Sequence, residues 1–488
     1  MIRYSGSAVV VLWCGLGAGC ASPDRSPRTS EAPYGPVAAR PLPPSVPAGP
    51  LKIDSAIDLA LQNFPSIRAA AARKEAAQSG VDLARTSYLP RLDFLWQEIR
   101  ATRNNFSGTL IPNYVINSLS GPVSPRSWDS AWGSAGGVLL SYEPIDFGYR
   151  GATVDVARSG ESQARADLEV TRLDVAGGAA QAFLALLAAR EAARAAGANV
   201  DRWTVFARAV RTLADQQLRP GADASRADAE LALARNQLIQ AEEVVATGRI
   251  TLAEALGTTD PTIEIDPGPF LGLPVRTELS WSDLVAHPLL RRQEASLETI
   301  QARQRALDSA YYPRINLQAG ANARGSGFGA GGDFQGGDEG LWPDRGNWFA
   351  GVSFTFPSME FFQLRARSRA EEANERAERA RTDEIILGLT MQGRRVQAIL
   401  DAARKIAQNT PVQLKAAQDA HASARARYDS GLGTITEVAE AQRLLAQGEI
   451  DDAVARLGIW RALALAIRTQ GDAGPFLKIV SDTPKQEK

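Results

Sequence analysis

Cysteine, histidine and methionine are scarce in this sequence, and their scarcity removes several classes of function. Among 488 residues there are two Cys, two His and three Met. Cys14 and Cys20 both lie near the N-terminus, whereas His287 and His421 are far apart. Metal sites built from His and Cys, and Cys–His nucleophile pairs, therefore have almost no raw material. The sequence also contains no P-loop, zinc-protease helix or dinucleotide fingerprint, so it predicts no enzyme activity and no cofactor or metal.

An excess of charge of one sign is also missing. The chain has 54 basic and 55 acidic residues, with a formal net charge of -1. This balance gives no reason to expect a nucleic-acid partner. The apolar run near the N-terminus, from about Ala8 to Leu16, is shorter than the roughly 20 residues that a membrane-spanning helix needs. Because it follows Arg3, it predicts a secretory signal peptide over residues 1–19.

Cys20 ends a run of small residues, LGAGC, that resembles the cleavage box of bacterial lipoproteins. The run departs from that box in having Gly17, and not leucine, three residues before the cysteine. We predict that Cys20 is the lipid-attachment residue. The alternative is an ordinary signal peptide that is cut elsewhere and leaves a free thiol. Residues 21–50 are rich in Pro and Ser and lack periodicity, so residues 20–50 are predicted to be a lipidated cysteine and an extended tether.

The most informative feature of the sequence is an internal duplication. Residues 63–94 resemble residues 286–317, and the two prolines in one segment are as far apart as the two in the other. Strand-like runs that end at a proline, and then glycine-containing turns, follow at similar spacings in both halves. The paired landmarks are Pro65 and Pro288, Pro90 and Pro313, Pro144 and Pro357, and Gly221 and Gly431. We predict repeat 1 over 51–262, a linker at 263–281, repeat 2 over 282–470 and a C-terminal tail at 471–488.

Each repeat reads as helix, strand, loop, strand, long helix, turn and helix. In repeat 1 the helices are predicted over about 54–89, 149–219 and 222–257. The apolar residues of the long helix follow the spacing of a coiled-coil seam, with Trp203 and Phe206 among them. At 1.5 Å per residue this helix would be roughly 100 Å long, and the two shorter helices, stacked end to end, would match it. The predicted fold is therefore mainly α, with long antiparallel helices.

The predicted strands cover about 90–103, 136–147, 313–323 and 347–357. Apolar residues alternate with small or polar ones, as from Ile315 to Asn322, and aromatic residues gather at the strand ends. The pattern suits a membrane β-barrel, although a half-buried sheet in a soluble protein alternates in the same way. Four strands cannot close a barrel, and open edges are not tolerated in lipid. A membrane barrel would therefore have to be shared among several copies of the chain.

The duplicated NFP…YLPRL and AHP…YYPRI segments and the two glycine-containing turns resemble the TolC-type outer-membrane channel family, over about residues 51–470. This resemblance implies a homotrimer in which four strands per chain form a twelve-stranded membrane β-barrel that continues into a periplasmic α-barrel. It also implies a passive duct in the outer membrane, with most of its mass in the periplasm, that works with a periplasmic adaptor protein and an inner-membrane pump. A proton-driven pump is expected, because a lipoprotein box is commoner in members paired with such pumps.

The expected cargo is small toxic molecules or drugs. The resemblance leaves open an exit duct for type I protein or peptide secretion, or for metal efflux. A more distant alternative is a periplasmic coiled-coil lipoprotein scaffold that has no pore.

The resemblance also assigns roles to residues near the two turns. Gly221–Ala222 and Gly431–Leu432 are expected to form the tips that dock the adaptor. Glu437 and Glu440 share one helix face and match acidic positions that line the narrow tunnel mouth. Tyr428 matches a residue whose hydroxyl helps to hold neighbouring helices together. Gly433 departs from the family, which often has a basic residue there, so an ion pair between Arg226 and Glu437 is the expected replacement.

Overall fold

The computed structural model shows how the two halves of the chain build one helical layer and one sheet. The signal peptide, Cys20 and almost all of the tether lie outside the residues that it describes, as does most of the loop between the first two strands. The described residues are 49–102, 128–277, 284–327, 337–356 and 359–484.

The described residues of the first half form four α-helices. They are α1 (Ile53–Asn63), α2 (Pro65–Arg85), α3 (Tyr149–Asp215) and α4 (Gly221–Ala255). The single helix expected over 54–89 is wrong, because Phe64 is extended (φ -65°, ψ 125°) and separates α1 from α2. Pro65 explains the break: its ring disfavours a helical conformation at the preceding residue, and its missing N–H is harmless at the start of a new helix.

The second half repeats the long helices. They are α5 (Pro288–Ser309), α6 (Phe361–Asp429) and α7 (Ile435–Gln470). Helix α6 runs for 69 residues and passes through Pro411 without ending. The expected C-terminal tail contains a further helix, α8 (Gly474–Asp482), whose Phe476 is fully buried.

The long helices set the order of the helical layer. Helix α3 contacts α1, α2 and α4 on one side and α5 and α7 on the other, and α6 packs against α5 and α7. With 67 residues, α3 extends roughly 100 Å. One stretch of α3 is long and apolar enough to cross a bilayer, but 67% of that stretch is buried in the protein, as in a core helix. Helix α6 and the stacked α1, α2 and α4 therefore form the two edges of the layer.

The four strands form one antiparallel sheet in the order β1-β2-β3-β4. They are β1 (Arg91–Thr102), β2 (Ser130–Ile145), β3 (Arg314–Ser326) and β4 (Arg345–Thr355). The register places apolar residues opposite one another, as in the pairs Leu317 with Val352 and Ala321 with Trp348. One face of the sheet is therefore apolar, and it is open: Trp348 is 81% exposed. Strands β1 and β4 remain as edges that no other described strand covers.

Aromatic side chains lie at both ends of the sheet. At the end nearest the helices, Phe147 stacks on Tyr312 at 5.3 Å, and Tyr311 meets Phe361 edge to face at 5.6 Å. At the other end, the ring centres of Trp96 and Trp342 are 6.4 Å apart. Two aromatic bands around an apolar zone are typical of a membrane-spanning sheet.

The main hydrophobic core lies around the middle of α3 and the C-terminal half of α7. Phe270 packs edge to face against Phe183 at 6.0 Å and against Trp460 at 4.9 Å. The indole N–H of Trp460 donates to the carbonyl of Gly272 at 2.9 Å. Because Phe270 and Gly272 belong to the expected linker, the described part of that segment is a packed component of the core and not a simple connection.

Arg150 joins the sheet to the helices. Its Nε lies 2.9 Å from Asp146 Oδ2, and its Nη1 donates to the Ser87 carbonyl at 3.2 Å. Its guanidinium also donates to the carbonyl of Glu143 and stacks 5.0 Å from the centre of the Tyr88 ring. Burial by itself would raise the pKa of Asp146, but hydrogen bonds from Arg150 and Gly148 outweigh burial and lower it. Arg150 thus fixes where β2 ends and α3 begins.

We predict that Arg150→Ala lowers the free energy of unfolding by about 3 kcal/mol, because it leaves a partly buried carboxylate without its cation. The midpoint of thermal loss of the helical circular dichroism signal measures this effect. The control is Arg158→Ala on the same helix, whose exposed pair with Asp155 contributes less than about 1 kcal/mol. Equal midpoints for the two variants would contradict this role for Arg150.

Candidate functional site at the helical turns

The turns that follow the two long helices have the same backbone structure. The first turn (residues 216–220) joins α3 to α4, and the second turn (430–434) joins α6 to α7. In both, the amides after the helix donate to the same relative carbonyls. The matching bonds are Gln217 N to Ala214 O (2.9 Å) and Leu218 N to Leu213 O (2.8 Å) in the first turn, and Gly431 N to Tyr428 O (3.0 Å) and Leu432 N to Arg427 O (2.8 Å) in the second.

The expected match between Gly221 and Gly431 is therefore wrong. The left-handed residue of the first turn is Gln217, with φ +57°, and it corresponds to Gly431, with φ +80°. Gly221 is instead the first residue of α4, because Pro220 is extended and caps that helix. Ala222 likewise belongs to α4 and not to the turn. A side chain added at Gly221 would meet open space.

Each turn presents an exposed leucine. Leu432 is 76% exposed, as its expected place at a tip requires, and Leu218 is 65% exposed at the matching position of the first turn. The smaller apolar residue expected there, Ala222, is replaced in this role by Leu218. The two tips are therefore more alike than the sequence comparison around the glycines indicates.

Tyr428 is the side chain around which the two turns meet. It is almost fully buried, and its ring packs edge to face on Phe206 of α3 at 5.4 Å. The guanidinium of Arg219 lies 4.5 Å from the ring centre and also donates to the Tyr428 carbonyl. The phenol donates to Asp223 Oδ2 at 3.4 Å. The last turn of α6 is thus held by three residues of the first helical pair.

The pKa of Tyr428 is raised, mainly by burial and further by the negative charge of Asp223. The phenol therefore stays protonated at any physiological pH and remains a donor to the carboxylate. Among the three residues that hold Tyr428, Arg219 occupies the position of the first turn that matches Gly433 of the second turn. The family resemblance places a basic residue at that position of the second turn.

Glu437 and Glu440 are both exposed on α7, just after the second turn, and each has a cation on its own chain. Glu437 lies 3.5 Å from Arg427 Nε, and Glu440 lies 2.7 Å from Arg443 Nη2. The amide of Glu437 also donates to Thr434 Oγ1 at 3.4 Å, so the Thr434 side chain caps the start of α7. The expected pair between Arg226 and Glu437 is wrong within one chain, because Arg427 takes that place.

The described residues thus form a helical layer with two edges, a sheet with two edges, and two turns that meet at Tyr428. The helices and the strands each follow one order from one edge of their layer to the other, and the two turns lie at the end far from the sheet. The chain belongs to the outer membrane efflux protein family, whose model matches residues 56–258 and 282–464. The two matched stretches correspond to the two halves of the chain. The protein is therefore an efflux channel component of the outer membrane, and its family and fold are those of channels and not of enzymes.

Individual relatives span nearly the whole chain. The chain is 26% identical over 435 residues to the pyoverdine export outer membrane protein OpmQ of Pseudomonas aeruginosa, covering 85% of this chain and 84% of that one. It is 24% identical over 416 residues to the cobalt-zinc-cadmium resistance protein CzcC of Cupriavidus metallidurans, covering 84% and 87%. Its fold matches the Campylobacter jejuni CmeC outer membrane channel with a TM-score of 0.70, 17% identity and coverage of 89% and 90%.

We predict that Gly431→Ala destabilises the second turn by about 1 to 2 kcal/mol, because a side chain is strained at positive φ. Gly221→Ala should leave the first turn unchanged or slightly more stable, because its backbone is helical and its surroundings are open. Hydrogen exchange of the amides in each turn measures both effects. If Gly221→Ala loosens the first turn as much as Gly431→Ala loosens the second, the match of Gln217 with Gly431 is wrong.

Proposed function

We propose that this protein is the exit duct of a tripartite efflux system, conducting small toxic molecules or drugs passively from a pump–adaptor complex to the exterior. The observation that carries the proposal is that the sheet and the helical layer are built in the same order and both end in open edges. A wall segment of this kind has a use only when further copies close it.

Three copies closing around an axis would satisfy these edges. Strand β4 of one copy would pair with β1 of the next, and α6 would pack against the neighbour's α2 and α4, giving twelve strands and one continuous helical tunnel. Both helical edges carry exposed large apolar residues that a second copy would bury. On α4 these are Leu233, Ile239, Val244 and Ile250, and on α6 they are Ile386, Leu387, Met391, Ile399, Ile406 and Val412.

The class of cargo is inferred from the names of the relatives. OpmQ is named for the export of pyoverdine, and CzcC for resistance to cobalt, zinc and cadmium. Small-molecule export is the first candidate, and metal efflux is the second because CzcC is matched over a similar length. A duct for type I secretion shares the same wall. The open apolar face of the sheet, with Trp348 and Phe354 exposed, disfavours a scaffold without a pore.

The two turns are the proposed docking surface for the periplasmic adaptor of a proton-driven pump. Leu218 and Leu432 are exposed apolar residues at matching positions of turns whose other residues are mostly small or polar. Apolar residues in such places are typical contacts for a partner protein.

We predict that Leu218→Asp/Leu432→Asp abolishes complementation of a deletion strain, measured as intracellular accumulation of an efflux substrate, while the channel still assembles. The conservative control, Leu218→Met/Leu432→Met, should complement fully because it keeps an apolar surface. Normal efflux and normal adaptor cross-linking by the aspartate variant would reject the docking assignment.

Tyr428, Arg219 and Asp223 are the proposed latch of the closed tip, with Glu437 and Glu440 at the tunnel mouth. We predict that Arg219→Ala raises the open probability of single channels in planar bilayers roughly tenfold, because it removes a cation–π contact and a charged hydrogen bond. Arg211→Ala, which removes an exposed pair with Asp228 on the same hairpin, should behave as wild type. An unchanged open probability for Arg219→Ala would contradict the latch.

In the same recordings Glu437→Gln/Glu440→Gln should reduce cation selectivity.

Cys20 is proposed to carry the lipid that assists anchoring in the outer membrane. Wild type should incorporate label from palmitate in growing cells, and Cys20→Ser should not, while its barrel still assembles. Wild type without label would show that the signal peptide is of the ordinary kind.

A further inference from the structure

A cavity of about 360 Å³ lies between α3, α6 and α7, on the side of the proposed latch that is nearer the sheet. Trp203 and Phe206 of α3 form its apolar wall. His421 enters it from α6, seven residues before Tyr428, which places both side chains on the same side of that helix. Gln442 of α7 is among the residues that close the cavity. Because α3 belongs to the first helical pair and α6 and α7 to the second, the cavity marks the contact between the pairs.

Charged groups face His421 from all three helices. Arg202 and Asp201 lie on α3, Arg425 on α6 itself, and Glu449 on α7. Arg202 is held by two hydrogen bonds to Glu449, at 3.1 and 2.7 Å. Arg425 lies over the ring of Phe206 at 4.5 Å and pairs with Asp429 at 3.1 Å. Glu449 and Asp429 are thus engaged with the arginines, whereas Asp201 lines the cavity with an exposed side chain. The described residues offer His421 no hydrogen bond.

These surroundings favour the neutral imidazole. Burial lowers the pKa of His421 below its ordinary value of 6.5, and the positive charges of Arg202 and Arg425 lower it further, against a smaller opposing effect of Glu449. The packed state therefore binds fewer protons at this site than a separated state would. Its stability is complete above pH 6.5 and is lost as the pH falls towards the lowered value.

We propose that His421 makes the contact between the two helical pairs sensitive to acid, so that its protonation loosens α6 from α3 and favours opening of the tip. The imidazolium would be a third cation beside Arg202 and Arg425, and it would act on the segment that seats Tyr428. Arg425 and Tyr428 both pack on Phe206, so displacement of Arg425 disturbs the same aromatic support that the latch uses. This inference rests on the proposed latch for its effect on conduction, but not for the loosening itself.

Pro411 marks where the loosened segment of α6 would begin. It lies inside α6, and its missing N–H removes one hydrogen bond to the preceding turn. Below it, residues 412–429 carry His421, Arg425 and Tyr428. The segment between Pro411 and the second turn can therefore shift more easily than the continuous helix above it.

The test compares amide hydrogen exchange and single-channel recordings at pH 7.5 and 5.5 for the full-length protein, with exchange rates corrected for the intrinsic effect of pH. In wild type we expect exchange over residues 418–430 and 199–210, and the open probability, to rise roughly fivefold in acid. His421→Gln, which keeps size and polarity without titrating, should remove both responses and keep the neutral-pH behaviour. His421→Arg should resemble acidified wild type at pH 7.5. His287 is retained in every variant.

An equal acid response in His421→Gln, or no acid-induced exchange in wild type, would overturn the inference. A wild-type protein that does not conduct at either pH would refute the proposed duct, and the exchange measurement would still decide whether His421 governs the contact.

Discussion

The outer backbone edges of β1 and β4, which no other described strand covers, impose the condition that the rest of the structure has to meet. In lipid the N–H and C=O groups of an open edge have no water to bond, so a sheet with an exposed apolar face is stable there only when its edges find partners. The helical layer has the same property, because α6 and the stacked α1, α2 and α4 form its edges and carry exposed apolar side chains. The proposed closure by further copies would satisfy both layers at once.

The tip depends on a different kind of contact. Within one chain the second helical pair is fastened to the first through Tyr428, which is held by an aromatic ring, a guanidinium and a carboxylate from α3, the first turn and α4. In the proposed latch, this is the contact that a docking partner or added charge would have to break. Glu437 and Glu440, each paired with an arginine of its own chain, contribute less net charge than two free carboxylates would.

The sequence predicted the mainly helical fold with its four strands, because long runs without proline and strict alternation are strong local signals. It failed where one residue overrides its neighbours. Pro65 divides the first helix, and Gln217 takes a left-handed conformation that composition alone assigns to glycine. Gln217 lies as far after Pro144 as Ser430 lies after Pro357, which brings Gln217 within one residue of the correct match with Gly431. The glycine at position 221 led instead to the wrong match. Arg219 and Asp223 could not be assigned, because their partner Tyr428 is more than 200 residues away in the chain.

Single-particle imaging of the purified protein in lipid nanodiscs tests the closure of the wall most directly. We predict particles of three copies in which β4 of each copy is hydrogen-bonded in antiparallel fashion to β1 of the next, so that twelve strands surround an open lumen that continues between the helices. Particles of a single copy whose β1 and β4 remain unpaired, or a sheet that packs against protein and not lipid, would contradict it.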